Sequence, residues 1–169
     1  KEIAIWSSLD HINVLPFKGF CFFPLGHQDS EDSLFSLVSP WMTHRTIRDY
    51  LTEHPKADRI ALMIGITDGL NYLHGMDVVH ADLKGGNIFI TEKGEPVLAD
   101  FGLSKLQGLD PIFRNDSITS STSALKGTAR FMAPELFGLD NPPDSKPPKP
   151  DMASDVWALG CVMLVRLNF

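Results

Sequence analysis

Cysteine, basic runs and long apolar stretches are all scarce in this chain of 169 residues. Only Cys21 and Cys161 occur, so neither a disulfide framework nor a Cys/His zinc spacing can be built, which fits a reducing compartment. Each cysteine has apolar neighbours and reads as a buried small hydrophobe. No cluster of Lys or Arg offsets the formal net charge of −6, which argues against nucleic acid as the main partner. The longest apolar run, Val156 to Val165, is too short to span a bilayer, so no membrane segment is expected. A charged amino-terminal region leading into an apolar core is missing, and with it any sign of a secretory signal. Internal repeats are absent. These absences leave a soluble, cytoplasmic protein of ordinary globular composition, 43% hydrophobic and 21% charged. It is long enough for one domain with a sizeable core.

Boundary signals are also lacking. Lys1-Glu2-Ile3-Ala4-Ile5-Trp6 begins inside a helical pattern without Met, and Phe169 closes an apolar helical run with no Gly or Pro stop. The sequence is therefore expected to be a piece of a longer chain, truncated at both ends.

Ile3, Trp6 and Leu9 recur at helical spacing and predict a helix ending near Asp10 and His11. Phe17 to Phe23 predicts a strand, Pro24 to Ser33 a polar turn, and Leu34 to Ser39 the partner strand of a hairpin. Thr46, with Asp49 three positions on, predicts a capping box that opens a short helix to Leu51. A longer helix is predicted from about Asp58 to His74, with Ile60, Met63, Ile64, Leu70 and Leu73 on its apolar face and Gly75 as its stop. Val78-Val79 predicts a short strand, and Ile88 to Ile90 and Pro96 to Ala99 flank Glu92-Lys93-Gly94-Glu95 as a second hairpin. Residues 103–127, rich in Ser and Thr and without period, read as a mobile loop. Pro142, Pro143, Pro147, Pro148 and Pro150 read as an extended connector, and a buried helix is predicted from near Ser154. Sheet-type segments precede mostly helical ones, so the fold class is α+β.

The segment His80-Ala81-Asp82-Leu83-Lys84-Gly85-Gly86-Asn87 is followed by Asp100-Phe101-Gly102. This pair resembles the catalytic loop and metal-binding loop of protein kinases, which carry a base Asp, a metal-ligating Asn and a metal-ligating Asp in the same order. The resemblance implies that Asn87 and Asp100 hold Mg2+, a cation that prefers hard oxygen ligands. Asp82 would accept the proton of the attacking hydroxyl. A carboxylate is a feeble base at neutral pH, so orientation should be its main contribution. Lys84 would set a cation on the transferring phosphoryl group, and Gly85 and Gly86 would allow close backbone approach. His80, beside a valine strand, reads as a packed, hydrogen-bonded histidine and not as a base. Singly, each Asp would read as a turn or cap residue; the ordered set is what points to phosphoryl transfer.

The likeness extends over nearly the whole chain. Gly127 to Glu135 looks like the end of an activation segment, with the triplet Ala133-Pro134-Glu135. Ser154 to Gly160 is similar to the start of the central C-lobe helix, and by that match Asp155 would hydrogen-bond the backbone around His80. Glu2 sits where the αC glutamate lies, and Leu37 to Met42 resembles the fifth strand and hinge with Ser39 as gatekeeper. Pro40, Trp41 and Met42 would then offer backbone groups to the adenine of ATP, with Phe89 under the ring. Trp6, Phe17, His80 and Phe101 would stack as a column aligning the two lobes.

The layout this implies is a partial protein-kinase-like domain over residues 1–169. Residues 1–39 form an N-lobe remnant (the αC helix and strands 4 and 5), 40–45 a hinge, and 46–169 a partial, mainly helical C-lobe with the activation segment at 100–135. The implied activity is transfer of the ATP γ-phosphate to a protein substrate bearing Ser or Thr hydroxyls. Lys84, two residues after Asp82, and Thr128 accompany that specificity, and the wording resembles the tyrosine-kinase-like branch. Nothing in these patterns sets an oligomeric state.

Two departures matter. Ala81 replaces the arginine that precedes the catalytic Asp in most kinases and pairs with a loop phosphate, which a methyl group cannot do. No glycine-rich loop or strand lysine precedes Glu2, so the piece by itself is expected to bind nucleotide poorly and to be inactive alone. A pseudokinase-like protein-binding module is the alternative. A small-molecule phosphotransferase fits less well, because such enzymes generally lack a peptide-docking segment of this form.

Overall fold

The computed structural model describes residues 2–24, 33–100, 105–106, 129–138 and 148–166. The first helix, α1 (Glu2–Trp6), ends sooner than the spacing of Ile3, Trp6 and Leu9 predicts. Ser8 turns its hydroxyl back onto the Ile5 carbonyl at 2.8 Å, giving the backbone an alternative to a further helical turn. Ile5, Trp6 and Leu9 are nevertheless all buried.

The aromatic stretch that follows forms β1 (Gly19–Pro24), antiparallel to β2 (Ser33–Val38) with Gly19 opposite Val38. Phe22 and Phe35 face each other across the hairpin with ring centroids 5.5 Å apart, a cross-strand pair that contributes to register. Cys21 corrects the expectation of burial: it is exposed, and Cys161 is half-buried. A two-stranded ribbon has too few neighbours to cover both of its faces.

Thr46 and Asp49 make the predicted capping box, each side chain accepting the other's backbone N–H, at 3.4 and 3.2 Å. They open α2 (Ile47–Glu53), two residues longer than expected. Asp58 caps α3 (Arg59–Gly75) by accepting the Ala61 N–H at 3.0 Å. The buried face of α3 is Leu62, Ile66, Gly69, Leu70 and Leu73, whereas Ile60 and Ile64 are 49% and 65% exposed. This helix is apolar nearly all round, so periodicity cannot choose its face. The choice falls to Gly65 and Gly69, which lie against Pro96 and Asn13 so closely that a Cβ would stand 2.7 and 2.6 Å from their atoms. The left-handed residue after α3 is Asp77 (φ 56), not Gly75.

Three short pairings follow in the chain. β3 (Val78–Val79) pairs with β6 (Lys105–Leu106), which corrects the reading of those two residues as loop. β4 (Ile88–Ile90) pairs with β5 (Pro96–Leu98), Ile88 opposite Leu98. The segment after α1 runs beside β5: Leu98 donates to the Asn13 carbonyl at 2.9 Å, Leu15 to the Leu98 carbonyl at 2.8 Å, and the Asn13 amide to the Pro96 carbonyl at 2.8 Å. The last helix, α4 (Met152–Arg166), starts two residues before Ser154, with Asp151 and Ser154 each accepting the other's backbone N–H. Ile47, Ile66, Leu73, Leu83, Ile88, Ile90 and Leu98 form the centre of the core, each buried to 1% exposure or less. The rest of the expected loop over 103–127 and most of the proline-rich connector lie outside the described residues. No helix among the described residues is long and apolar enough to cross a membrane.

Candidate functional site

Asp155, in the first turn of α4, reaches the loop that leaves β3. Its carboxylate accepts the backbone N–H of His80 at 2.8 Å and of Ala81 at 2.9 Å, as expected, and also meets His74 Nε2 at 3.0 Å. Ala81 has φ 69, a left-handed conformation costing a non-glycine residue roughly 1–2 kcal/mol. The grip of Asp155 on two successive amides holds that turn. His80 is fully buried, with Nε2 donating to the Ala99 carbonyl at 3.0 Å and Nδ1 accepting the Asp82 N–H at 3.3 Å. One donor and one acceptor define a neutral imidazole protonated on Nε2. Burial pushes its pKa below the ordinary 6.5, against the opposing pull of the Asp155 and Asp82 carboxylates. The structural role read for His80 fits this geometry.

The fixed turn delivers Asp82. Its Oδ2 accepts from Lys84 Nζ at 2.5 Å and from Asn87 Nδ2 at 3.1 Å, and Asn87 Nδ2 also donates to the Asp82 carbonyl at 2.9 Å. Gly85 to Asn87 form one 3-10 turn, which folds Asn87 back over Asp82. Asp82 Oδ1 is buried and has no hydrogen-bond partner among the described residues. Leaving such an acceptor unsatisfied costs about 1–3 kcal/mol.

Pairing of β4 with β5 brings in the second acid. The Ala99 N–H donates to the Asn87 carbonyl at 2.9 Å, so the next residue, Asp100, leaves the sheet beside Asn87. Asp100 has φ 67 and is exposed. The residue types suit Mg2+: the Asn87 nitrogen is committed to Asp82, which would leave its amide oxygen for a cation, and the Asp100 carboxylate would offer a second hard oxygen. Asp82, Lys84 and Asn87 are thus joined by direct hydrogen bonds, and Asp100 follows the residue whose N–H bonds the Asn87 carbonyl.

Ser39, Pro40, Trp41 and Met42, expected to form the hinge, leave β2 as irregular backbone. Met42 packs on the core while the Trp41 side chain is exposed. Arg45 (φ 54) donates to the Met42 carbonyl at 3.0 Å and accepts from the Ile90 N–H at 2.9 Å. With the bridge between Thr46 and Phe89, this sets half-buried Phe89 beside the hinge exit. Trp6 and Phe17, two of the four residues of the expected column, pack with ring centroids 5.3 Å apart. Glu2 lies in α1, but its side chain, Phe101 and Thr128 fall outside the described residues.

His74 escaped the sequence reading. It stands 81 positions from Asp155, and no local pattern marks a tie across that distance.

Comparison with known proteins decides the family. The model for the protein kinase domain matches residues 1–168. The chain belongs to this family. Its relatives include mitogen-activated protein kinase kinase kinase 17 of Arabidopsis thaliana, 40% identical over 97% of this chain and 40% of that protein. Mitogen-activated protein kinase kinase kinase 5 of the same plant is 32% identical over 97% of this chain and 21% of its own length. MAP kinase kinase kinase mkh1 of Schizosaccharomyces pombe is 31% identical over 98% of this chain and 13% of its own. This kinase domain sequence therefore spans 40% or less of the length of these relatives. Across it, the loop at 80–87 is anchored by α4 from one side and by β5 from the other.

Proposed function

We propose that this kinase domain transfers the γ-phosphate of ATP to serine or threonine hydroxyls of a protein substrate. The observation that carries the reading is Asp82 Oδ1, a buried acceptor without a partner among the described residues while its sister oxygen is held by Lys84 and Asn87. An incoming hydroxyl would satisfy it, and Asp82 would orient that hydroxyl for attack. Lys84, already turned toward Asp82, would stabilise charge on the transferring phosphoryl group. Magnesium, when bound, neutralises phosphate oxygens; Asn87 and Asp100 are the residues that would hold it. Ser39, Pro40, Trp41, Met42 and Phe89 would receive the adenine, and Glu2 would face the phosphates from α1.

A protein substrate is supported by an apolar hollow next to Asp82, lined by Leu83, Phe131, Met132, Ala133 and Leu136. It offers a place for a side chain beside the target hydroxyl. The pseudokinase-like alternative is not favoured, because all four chemical groups are retained and three are hydrogen-bonded together. The test is phosphate transfer from ATP to Ser- and Thr-containing peptides by the full-length protein. Asp82→Asn should lower kcat by roughly 10²–10⁴ with little change in ATP affinity. Full activity in that variant would overturn the assignment.

A further inference from the structure

A second cluster of coordinating side chains lies away from the phosphoryl-transfer loop. His44, two positions beyond Met42, meets Glu53 and His54 at the end of α2, with one ligand atom from each lying within 4.8 Å of the others. Their arrangement is braced from behind. The Tyr50 ring stacks on His54 (centroids 4.5 Å apart, planes 27°) and packs edge-on to His44 at 5.2 Å. Tyr50 is itself wedged against the turn between β4 and β5, where a Cβ on Gly94 would come within 3.0 Å of its hydroxyl.

The tautomer of His54 is also set. Its Nδ1 lies 3.2 Å from the Tyr50 carbonyl, which can only accept, so Nδ1 carries the proton and Nε2 keeps its lone pair. A histidine that donates its other N–H to a backbone carbonyl is the usual form of a metal ligand, since that bond orients the ring and raises its basicity. His44 is half-buried, while Glu53 and His54 are exposed, so an ion has access from solvent.

We propose that His44, Glu53 and His54 form a Zn2+ site with an open fourth position. Two imidazole nitrogens and one carboxylate suit a borderline cation, whereas Mg2+ and Ca2+ prefer sites made wholly of oxygen. An ion there would tie residue 44, two positions beyond Met42, to the end of α2, and so stiffen the exit from the hinge.

The experiment adds Zn2+ alone to the metal-free protein in a Cys21→Ser background, because the exposed Cys21 thiol is the competing ligand. Calorimetry should show one ion per chain, with affinity little changed by millimolar Mg2+. His54→Gln and Glu53→Gln, both at exposed positions, should each weaken binding about tenfold or more while circular dichroism is unchanged. Co2+ in place of Zn2+ should give a tetrahedral visible spectrum without a thiolate charge-transfer band. Absence of stoichiometric Zn2+ binding, or equal affinity in both variants, would overturn the site. A thiolate band with Co2+ would assign the metal to Cys161 and overturn it as well.

Discussion

The carboxylate of Asp155 accepts the backbone N–H of His80 at 2.8 Å, joining α4 to the loop that carries Asp82. The same carboxylate is buried and also serves Ala81 and His74. Removing it strands the buried amide of His80, the half-buried amide of Ala81 and a histidine at once. Asp155→Ala should therefore lose about 3–5 kcal/mol of stability by urea denaturation, since it leaves several buried polar groups without their partner. Asp151→Ala, which removes only the helix cap, should lose about 1 kcal/mol.

Gly69 and Gly75 separate close approach from helix propensity. Alanine favours a helix interior over glycine by roughly 1 kcal/mol. At Gly75 a Cβ meets nothing within 4 Å, so Gly75→Ala should stabilise by up to about that amount. At Gly69 the Cβ would stand 2.6 Å from the Asn13 carbonyl oxygen, which is backbone and cannot swing aside. Overpacking costs about 1–3 kcal/mol and outweighs the propensity gain, so Gly69→Ala should destabilise. Opposite shifts in thermal midpoint for the two variants check this.

His80 gives the fold a dependence on pH. Its pKa is lowered in the folded state, first by burial, while Asp155, Asp82, Asp100 and the Ala99 carbonyl pull the other way. Below 6.5 the unfolded chain takes up a proton that the folded chain refuses. The contribution of His80 is thus complete above 6.5 and falls away as pH drops toward the lower folded value. NMR titration should find the His80 ring still neutral at pH 6.5 and the unfolding midpoint lower at pH 5 than at pH 7. A ring titrating at or above 6.5 would contradict this.

Ala81 bears on regulation. Its backbone is held by Asp155, and its methyl group offers no charge to a phosphorylated loop. Replacing Ser117, Thr119, Ser120, Ser121, Thr122 and Ser123 together by Ala should leave peptide phosphorylation within about twofold of the parent protein. Abolished activity would show that a phosphate in this stretch acts through some other contact.

Much of the fold was legible because local chemistry wrote it. The Thr46–Asp49 capping box and the hairpin around Gly94 each depend on residues a few positions apart. The face of α3 was legible only in part: Leu70 and Leu73 are buried as expected, whereas Ile60 and Ile64 are exposed. With apolar residues all round that helix, the answer lay with Asn13 and Pro96, far away in sequence, which settle against its glycines. Cys21 was misjudged for a related reason, since an apolar neighbourhood in sequence does not supply a covering layer in space. The link from Asp155 to His80 was anticipated through family resemblance alone, and its partner His74 was missed.

By itself the sequence determined which chemical groups this kinase domain carries and in what order: Asp82, Lys84, Asn87 and Asp100, spaced so that one tight turn and one hairpin separate them. Spacing along a chain prescribes local turns, because these are closed by hydrogen bonds among near neighbours. Only the tertiary structure decided that Asp82 keeps one oxygen buried and without a partner among the described residues, that His80 is neutral, and that His44 meets Glu53 and His54. Those outcomes depend on burial and on contacts between distant segments, which exist only once the core has closed.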